Sequence, residues 1–238
     1  NAMAIGATGE DALAYRAAYV IGSEARAVGI HVVFGPVADV NNNPANPVIN
    51  TRSFGESPGD VARFSTAFVR GLQDAGAMAT AKHFPGHGDT DADSHLELPV
   101  VRHDLETLRQ RELVPFVAAI AAGVEMVMTA HVLYPELDAA RPATLSPRIV
   151  EDLLRHQLGF AGVVVTDDLK MRGVRDLLDL EEAAIGALRA GCDLLLSATE
   201  HDRHLDLAAA LERAARDGRV SEERLAQSEA RLVALRRR

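Results

Sequence analysis

AMATAKHFPGHGDTDADSH, residues 77–95, decides how this chain folds. Ala77 to Ala81 is an apolar run, and it passes directly into a segment holding Lys82, His83, His87, Asp89, Asp91, Asp93 and His95. A short apolar run bounded by turn residues reads as a buried strand, and Pro85, Gly86 and Gly88 mark the loop that follows it. Titratable groups crowded just past a strand end are the usual arrangement of an α/β active site.

The same pattern recurs on either side. His31 to Phe34 reads as a short strand, followed by GPVADVNNNPANPVINTRSFG, a long loop rich in Asn, Pro and Gly that carries Asp39 and Arg52. Glu125 to Ala130 is an apolar strand that ends at His131, Gly162 to Val165 runs into Thr166, Asp167 and Asp168, and Cys192 to Leu196 ends at Ser197. Helical patterns lie between. Residues 10–28 place Leu13, Ala17, Val20 and Ile21 on one face and stop at Gly29. Ser57-Pro58 opens a second helix whose buried stripe is Val61, Phe64, Phe68 and Leu72. Further helices are expected over 104–121, kinked at Pro115, and over 147–158, 180–190, 203–216 and 221–236.

Strands alternating with helices, with no strict two-residue alternation inside the strands, indicate a parallel sheet covered by helices. Polar groups at successive strand ends favour a barrel, where every strand-to-helix loop reaches one mouth. Only five strands are evident, and a closed (β/α)8 barrel has eight. The expectation is an α/β fold of TIM-barrel type, one domain over residues 1–238, either open or lacking its first strands.

Composition narrows the function. The 238 residues are 47% hydrophobic and 25% charged, as in an ordinary globular domain. A net charge of −9 argues against nucleic acid or an anionic membrane as partner, and no Trp with 4% aromatics gives little stacking surface for single strands. Cys192 is the one cysteine, so no intrachain disulfide forms, and its apolar setting reads as core. No long apolar run or charged leader is evident, which makes the cytoplasm the expected location.

Metal chemistry fits poorly. Asp89, Asp91 and Asp93 imitate a calcium loop, but Ser94 and Val100 stand where that loop needs Gly and Glu. His83, His87 and His95 could hold zinc, yet Pro85 and Gly86 keep the first two off one helical face. No metal and no cofactor is expected. Acid–base chemistry fits better. Asp93 lies two residues before His95, so its carboxylate can orient the imidazole and favour its protonated form. An imidazole so held can give a proton to a leaving group and later take one from water, and Gly86 and Gly88 let the loop bend. Asp167 and Asp168 point to opposite faces if the strand continues. Asp167 is then a nucleophile for an electrophilic carbon, or the cap of a turn over 169–174. Arg52 could clamp a ligand or staple its own loop. Lys82 and His83 bring donors to the rim, suited to a polyhydroxylated ligand, whereas His103, His201 and His204 lie in polar, solvated contexts.

FGPVADVNNNPANPVINTRSFG, KHFPGHGDTDADSH, MTAHVLYP and VVVTDDLKM, in this order, resemble glycoside hydrolase family 3, specifically its β-N-acetylglucosaminidase branch. The resemblance covers nearly the whole chain. It implies a TIM-type barrel and a retaining exo-β-N-acetylglucosaminidase acting on cell-wall-derived sugars. Asp167 would be the nucleophile, His95 the general acid/base and Asp93 its partner, with Arg52, Lys82 and His83 on the terminal N-acetylglucosamine. Phosphorolysis in place of hydrolysis, or a non-catalytic sugar-binding relic, are the alternatives. Family members carry further barrel strands, with a motif similar to DQEGGRVQR, ahead of the segment matching MAIGATG. Strands absent from this stretch would leave open barrel edges, through which copies of the chain could associate.

Overall fold

The computed structural model describes residues 1–94, 96–198 and 201–237. In chain order, α1 (Ala2–Gly6) and α2 (Asp11–Ala27) precede β1 (Val32–Val33), and α3 (Pro58–Asp74) leads into β2 (Met78–Phe84). Then come α4 (Leu105–Gln110), α5 (Leu113–Ala121), β3 (Met126–Thr129) and a hairpin of β4 (Leu133–Tyr134) with β5 (Asp138–Pro142). A π-helical segment, Arg148–Gln157, leads to β6 (Val163–Val165). The helices α6 (Arg172–Arg175), α7 (Leu180–Ala190), α8 (His201–Arg216) and α9 (Glu222–Arg236) complete the chain.

The sheet order is β1-β2-β3-β6, every pair parallel. The expected strand at Cys192–Leu196 is present only as a parallel bridge between Leu194 and Val165. The sheet is therefore an open arc of barrel type. Both its faces are apolar, as strands buried on two sides require. Ala79, Ala81, Val127 and Val164 join the large core beneath the helices, with Leu72, Phe116 and Ala119. By alternation Met126, Met128, Val163 and Val165 face the other way, and there they meet Val32 and, from α9, Leu232 and Leu235.

Two helical expectations change. In α2 the buried residues are Ala14, Ala18 and Gly22, while Val20 and Ile21 are exposed. Small side chains at intervals of four let α2 approach α3 closely: a Cβ on Gly71 of α3 would lie 2.3 Å from the Tyr15 carbonyl oxygen. The expected kink at Pro115 is instead a break at Arg111–Glu112, with Pro115 in the first turn of α5, where its missing N–H is not needed. The Ser57 cap of α3 forms as expected, accepting from the Asp60 N–H at 3.4 Å.

Candidate active site

The polar groups converge at the C-terminal ends of the strands, and strand parity explains how. Lys82 pairs with Met128, and Thr80 with Met126, so Lys82 continues the face of Met126 and Met128. Ordinary alternation would send His83 to the opposite face. The register shifts between Lys82 and Phe84, however, because His83 has no opposite number on β3. A bulge of this kind re-aims a side chain, and both Lys82 and His83 come to face Asp167. The Lys82–His83 peptide is cis. On β6, Val163 and Val165 lie on that same face, and two residues further on so does Asp167.

Asp167 Oδ2 stands 3.9 Å from His83 Nε2, too far for a hydrogen bond and close enough for charges to interact. Asp167 Oδ1 accepts from the Asp168 N–H at 2.8 Å. Burial alone would raise the Asp167 carboxyl, but His83, His131, the Asp168 N–H and Lys82 together outweigh it and hold the group below the usual carboxylate range. It is ionised at neutral pH. Asp168 points elsewhere: its Oδ1 accepts from the N–H groups of Lys170 at 3.0 Å and Ala198 at 3.1 Å. The turn-capping role is thus taken by Asp168 and not by Asp167.

Lys82 is pulled below its usual value by burial and by the nearby Arg52 charge, against Asp167 and Asp39. Arg52 is exposed and staples its own loop through Val48, its Nη1 donating to that carbonyl at 3.1 Å. The loop-stapling reading of Arg52 is thus observed, and the guanidinium also stands near Lys82.

His83 and His87 are buried, and both ring nitrogens of His87 already have protein partners. His83 Nδ1 meets Asp39 Oδ2 at 2.7 Å. His87 Nδ1 contacts Thr90 Oγ1 and its Nε2 contacts Ser94 Oγ, each at 2.9 Å. Desolvation above all, with His83 beside it, pushes His87 down to about 4, so it is neutral near pH 7. Asn46 Nδ2 donates to the carbonyls of His87 and Gly88 at 2.8 and 3.0 Å. The glycines serve close approach more than bending. A Cβ on Gly88 would sit 1.7 Å from the Val40 carbonyl oxygen, and one on Gly86 (φ 138°) 2.7 Å from Glu112 Cβ. Ser94 is held a second time, its carbonyl accepting from the Gly173 N–H at 3.2 Å.

Asp93 follows this pinned stretch, and its carbonyl accepts from the N–H groups of Leu96 and Glu97 at 2.8 and 3.0 Å. His95 lies outside the described residues. The structure thus brings Asp167, Lys82, His83 and Arg52 together and carries the Asp93 loop beside them through Ser94. Asp39, His87, Thr90 and His131 were not assigned roles from sequence. Their signal was position, because Asp39 and His131 each follow a strand. His131 is buried, its ring bonded to Thr144 Oγ1 at 2.8 Å and to the Asp168 carbonyl at 3.0 Å, and burial lowers its pKa.

Among the described residues, Asp89, His103 and Glu112 offer three metal-type donor atoms within 4.8 Å of one another. A guanidinium already stands among them: Arg111 Nη2 is 3.0 Å from Asp89 Oδ2 and 2.7 Å from His103 Nε2, and its Nε is 2.5 Å from Glu112 Oε1. His103, expected to be solvated, is half-buried, with its Nε2 2.5 Å from Asp89 Oδ2. This ion network braces the loop from outside the site. Among the described residues no helix is long and apolar enough to cross a membrane.

Comparison with known proteins places the chain in a family. The family described as glycosyl hydrolase family 3 N terminal domain matches residues 1–235. The protein named Beta-hexosaminidase A, from Pseudoalteromonas piscicida, is 41% identical over 254 residues, covering 98% of this chain and 42% of its own length. A solved glycoside hydrolase family 3 beta-N-acetylglucosaminidase from Paenibacillus sp. str. FPU-7 superimposes with a TM-score of 0.98 at 51% identity, covering 100% of this chain and 45% of that one. A structure named as the beta-glucoside phosphorylase BglX superimposes with a TM-score of 0.92 at 29% identity, over 98% of this chain and 43% of its own. The chain spans about half the length of the curated relatives most like it.

Proposed function

Because this chain belongs to glycosyl hydrolase family 3, we propose that it is the catalytic barrel portion of a retaining exo-β-N-acetylglucosaminidase. The observation that carries this reading is an ionised Asp167 facing His83 and Lys82 at the strand ends, beside the loop that bears Asp93. The names of the Pseudoalteromonas and Paenibacillus relatives support the N-acetylglucosamine substrate.

In the first displacement an oxygen of Asp167 bonds to the anomeric carbon while the glycosidic C–O bond breaks, and His95 gives its proton to the departing oxygen. In the second, water bonds to that carbon, its proton passes to His95, and Asp167 is released. Two inversions return the starting configuration. Asp93 orients the imidazole, and Arg52, Lys82 and His83 hold the sugar hydroxyls. Cell-wall-derived sugars as substrate, the cytoplasm as location and self-association along the edge strand β1 belong to the same proposal.

Phosphorolysis is the second reading, supported by the likeness to a protein named as a phosphorylase. An imidazole base also repels an incoming anion less than a carboxylate would. The test is turnover of a chromogenic N-acetyl-β-glucosaminide by the wild type, His95→Ala and Asp167→Ala, with and without phosphate. Losses of about 10²–10⁴-fold in both variants support the assigned roles. Sugar phosphate as product selects phosphorolysis. N-acetylglucosamine binding without turnover would identify a sugar-binding relic.

A further inference from the structure

Asp39 is fully buried, and its two oxygens do different work. Oδ1 accepts from two backbone donors, the N–H of His83 at 3.1 Å and of His87 at 2.7 Å. These amides bracket the bulge and the start of the pinned loop. Oδ2 takes the His83 ring at Nδ1, 2.7 Å away, which leaves Nε2 directed at Asp167. His87 then reaches Ser94 through its own ring, and Ser94 adjoins Asp93. One carboxylate therefore touches both the nucleophile side and the acid/base side of the site, and its hydrogen bonds among the described residues do not include Asp167.

We propose that Asp39 is a positioning residue that fixes the His83 ring proton on Nδ1, so that Nε2 faces the nucleophile and the sugar, while its other oxygen clamps the base of the loop that carries Asp93. The proposal rests on the glycosidase reading for its effect on rate. A carboxylate that holds an imidazole in one tautomer is worth orders of magnitude where that ring acts at the reacting centre, and outer-sphere partners of functional histidines commonly contribute 10–100-fold. Burial favours the neutral form of Asp39, but the His83 ring and the amides of His83 and His87 outweigh it and hold the carboxyl below the usual carboxylate range. Ser53 Oγ donates to the Asp39 carbonyl at 2.6 Å, which fixes the backbone beneath the side chain.

Asp39→Asn separates the two functions. Two backbone donors hold the amide oxygen where Oδ1 was, so the clamp persists. The amide nitrogen must then face Nδ1, which turns from donor to acceptor and moves the ring proton to Nε2. Asp39→Ala removes both contacts. The experiment measures kcat and KM on the chromogenic N-acetyl-β-glucosaminide, thermal melting, and the His83 tautomer by long-range ¹H–¹⁵N NMR, assigned by its loss in His83→Gln. For Asp39→Asn we expect kcat to fall about 10–100-fold with KM within about 3-fold, Tm nearly unchanged, and the tautomer switched. Asp39→Ala should also lower Tm. Wild-type kcat, or an unswitched tautomer in a folded Asp39→Asn protein, overturns the proposal. Inactivity of the wild type would sink the glycosidase reading, and the NMR result would still decide whether Asp39 holds the ring.

Discussion

His87 should make the stability of this domain depend on pH in a window that can be stated in advance. The ring is buried, neutral and doubly bonded to Thr90 and Ser94, with its pKa pushed down to about 4. Unfolded, it returns to about 6.5. Between those values the unfolded chain binds the proton and the folded one does not, so stability is complete above about pH 6.5 and is lost as pH falls toward about 4. At about 1.4 kcal/mol per pH unit the full effect is about 3 kcal/mol, of which about 2.5 is expressed by pH 4.5. Other groups titrate in the same range, so the measurement is a difference. Urea unfolding of the wild type and His87→Gln at pH 7.5 and pH 4.5 yields the stability gap between them at each pH. Glutamine does not titrate, and that gap should shrink by about 2.5 kcal/mol on acidification. A gap constant to within about 0.5 kcal/mol would refute the reasoning, because His87 would then be as exposed to protonation in the folded chain as in the unfolded one.

Lys82→Met removes one of the charges that hold Asp167 ionised. The acid limb of kcat/KM, which reports the free enzyme, should move to higher pH, and a limb that stays or moves down would contradict the assignment. Asp193→Asn leaves Arg155, Arg224 and Arg231 around a neutral group where they now lie 2.6, 2.7 and 3.0 Å from its carboxylate. Urea unfolding should show a loss of about 3–5 kcal/mol, the usual result of breaking a buried pair from one side. Gly88→Ala places a Cβ against the Val40 carbonyl. It should cost about 1–3 kcal/mol as an overpacked contact, and should also lower turnover, because the loop shifts with it.

Strand parity was the most legible feature of the sequence. The step from Val163 and Val165 to Asp167 follows from alternation alone, and so does the outward turn of Asp168. The bulge at His83 has no comparable signature, since it depends on how β2 meets β3, forty-odd residues later in the chain. Lys82 and His83 are therefore legible as neighbours along the chain, whereas the surface they share emerges only from the pairing of the two strands. Spacing argues against His87 as a metal ligand but does not mark it as a strut, which only the positions of Thr90 and Ser94 reveal. In α2 the large apolar residues suggest one buried face, whereas the contact with α3 selects another made of small ones. Asp39 stands in plain view at a strand end, but its role requires two amides and a ring that the sequence places far away.

Among the described residues, the fastenings of the loop before Asp93 include His87 to Thr90, His87 to Ser94, and Gly173 to Ser94. Each such bond contributes about 1 kcal/mol net, so releasing these three together requires at least about 3 kcal/mol. That corresponds to a detached fraction of somewhat under about one per cent at equilibrium. Such a minority state would be rare enough to leave the bound geometry undisturbed, yet motions of loops on this scale recur in microseconds to milliseconds. On the proposed glycosidase reading, departure of product proceeds through brief excursions, with no stable open form to accumulate.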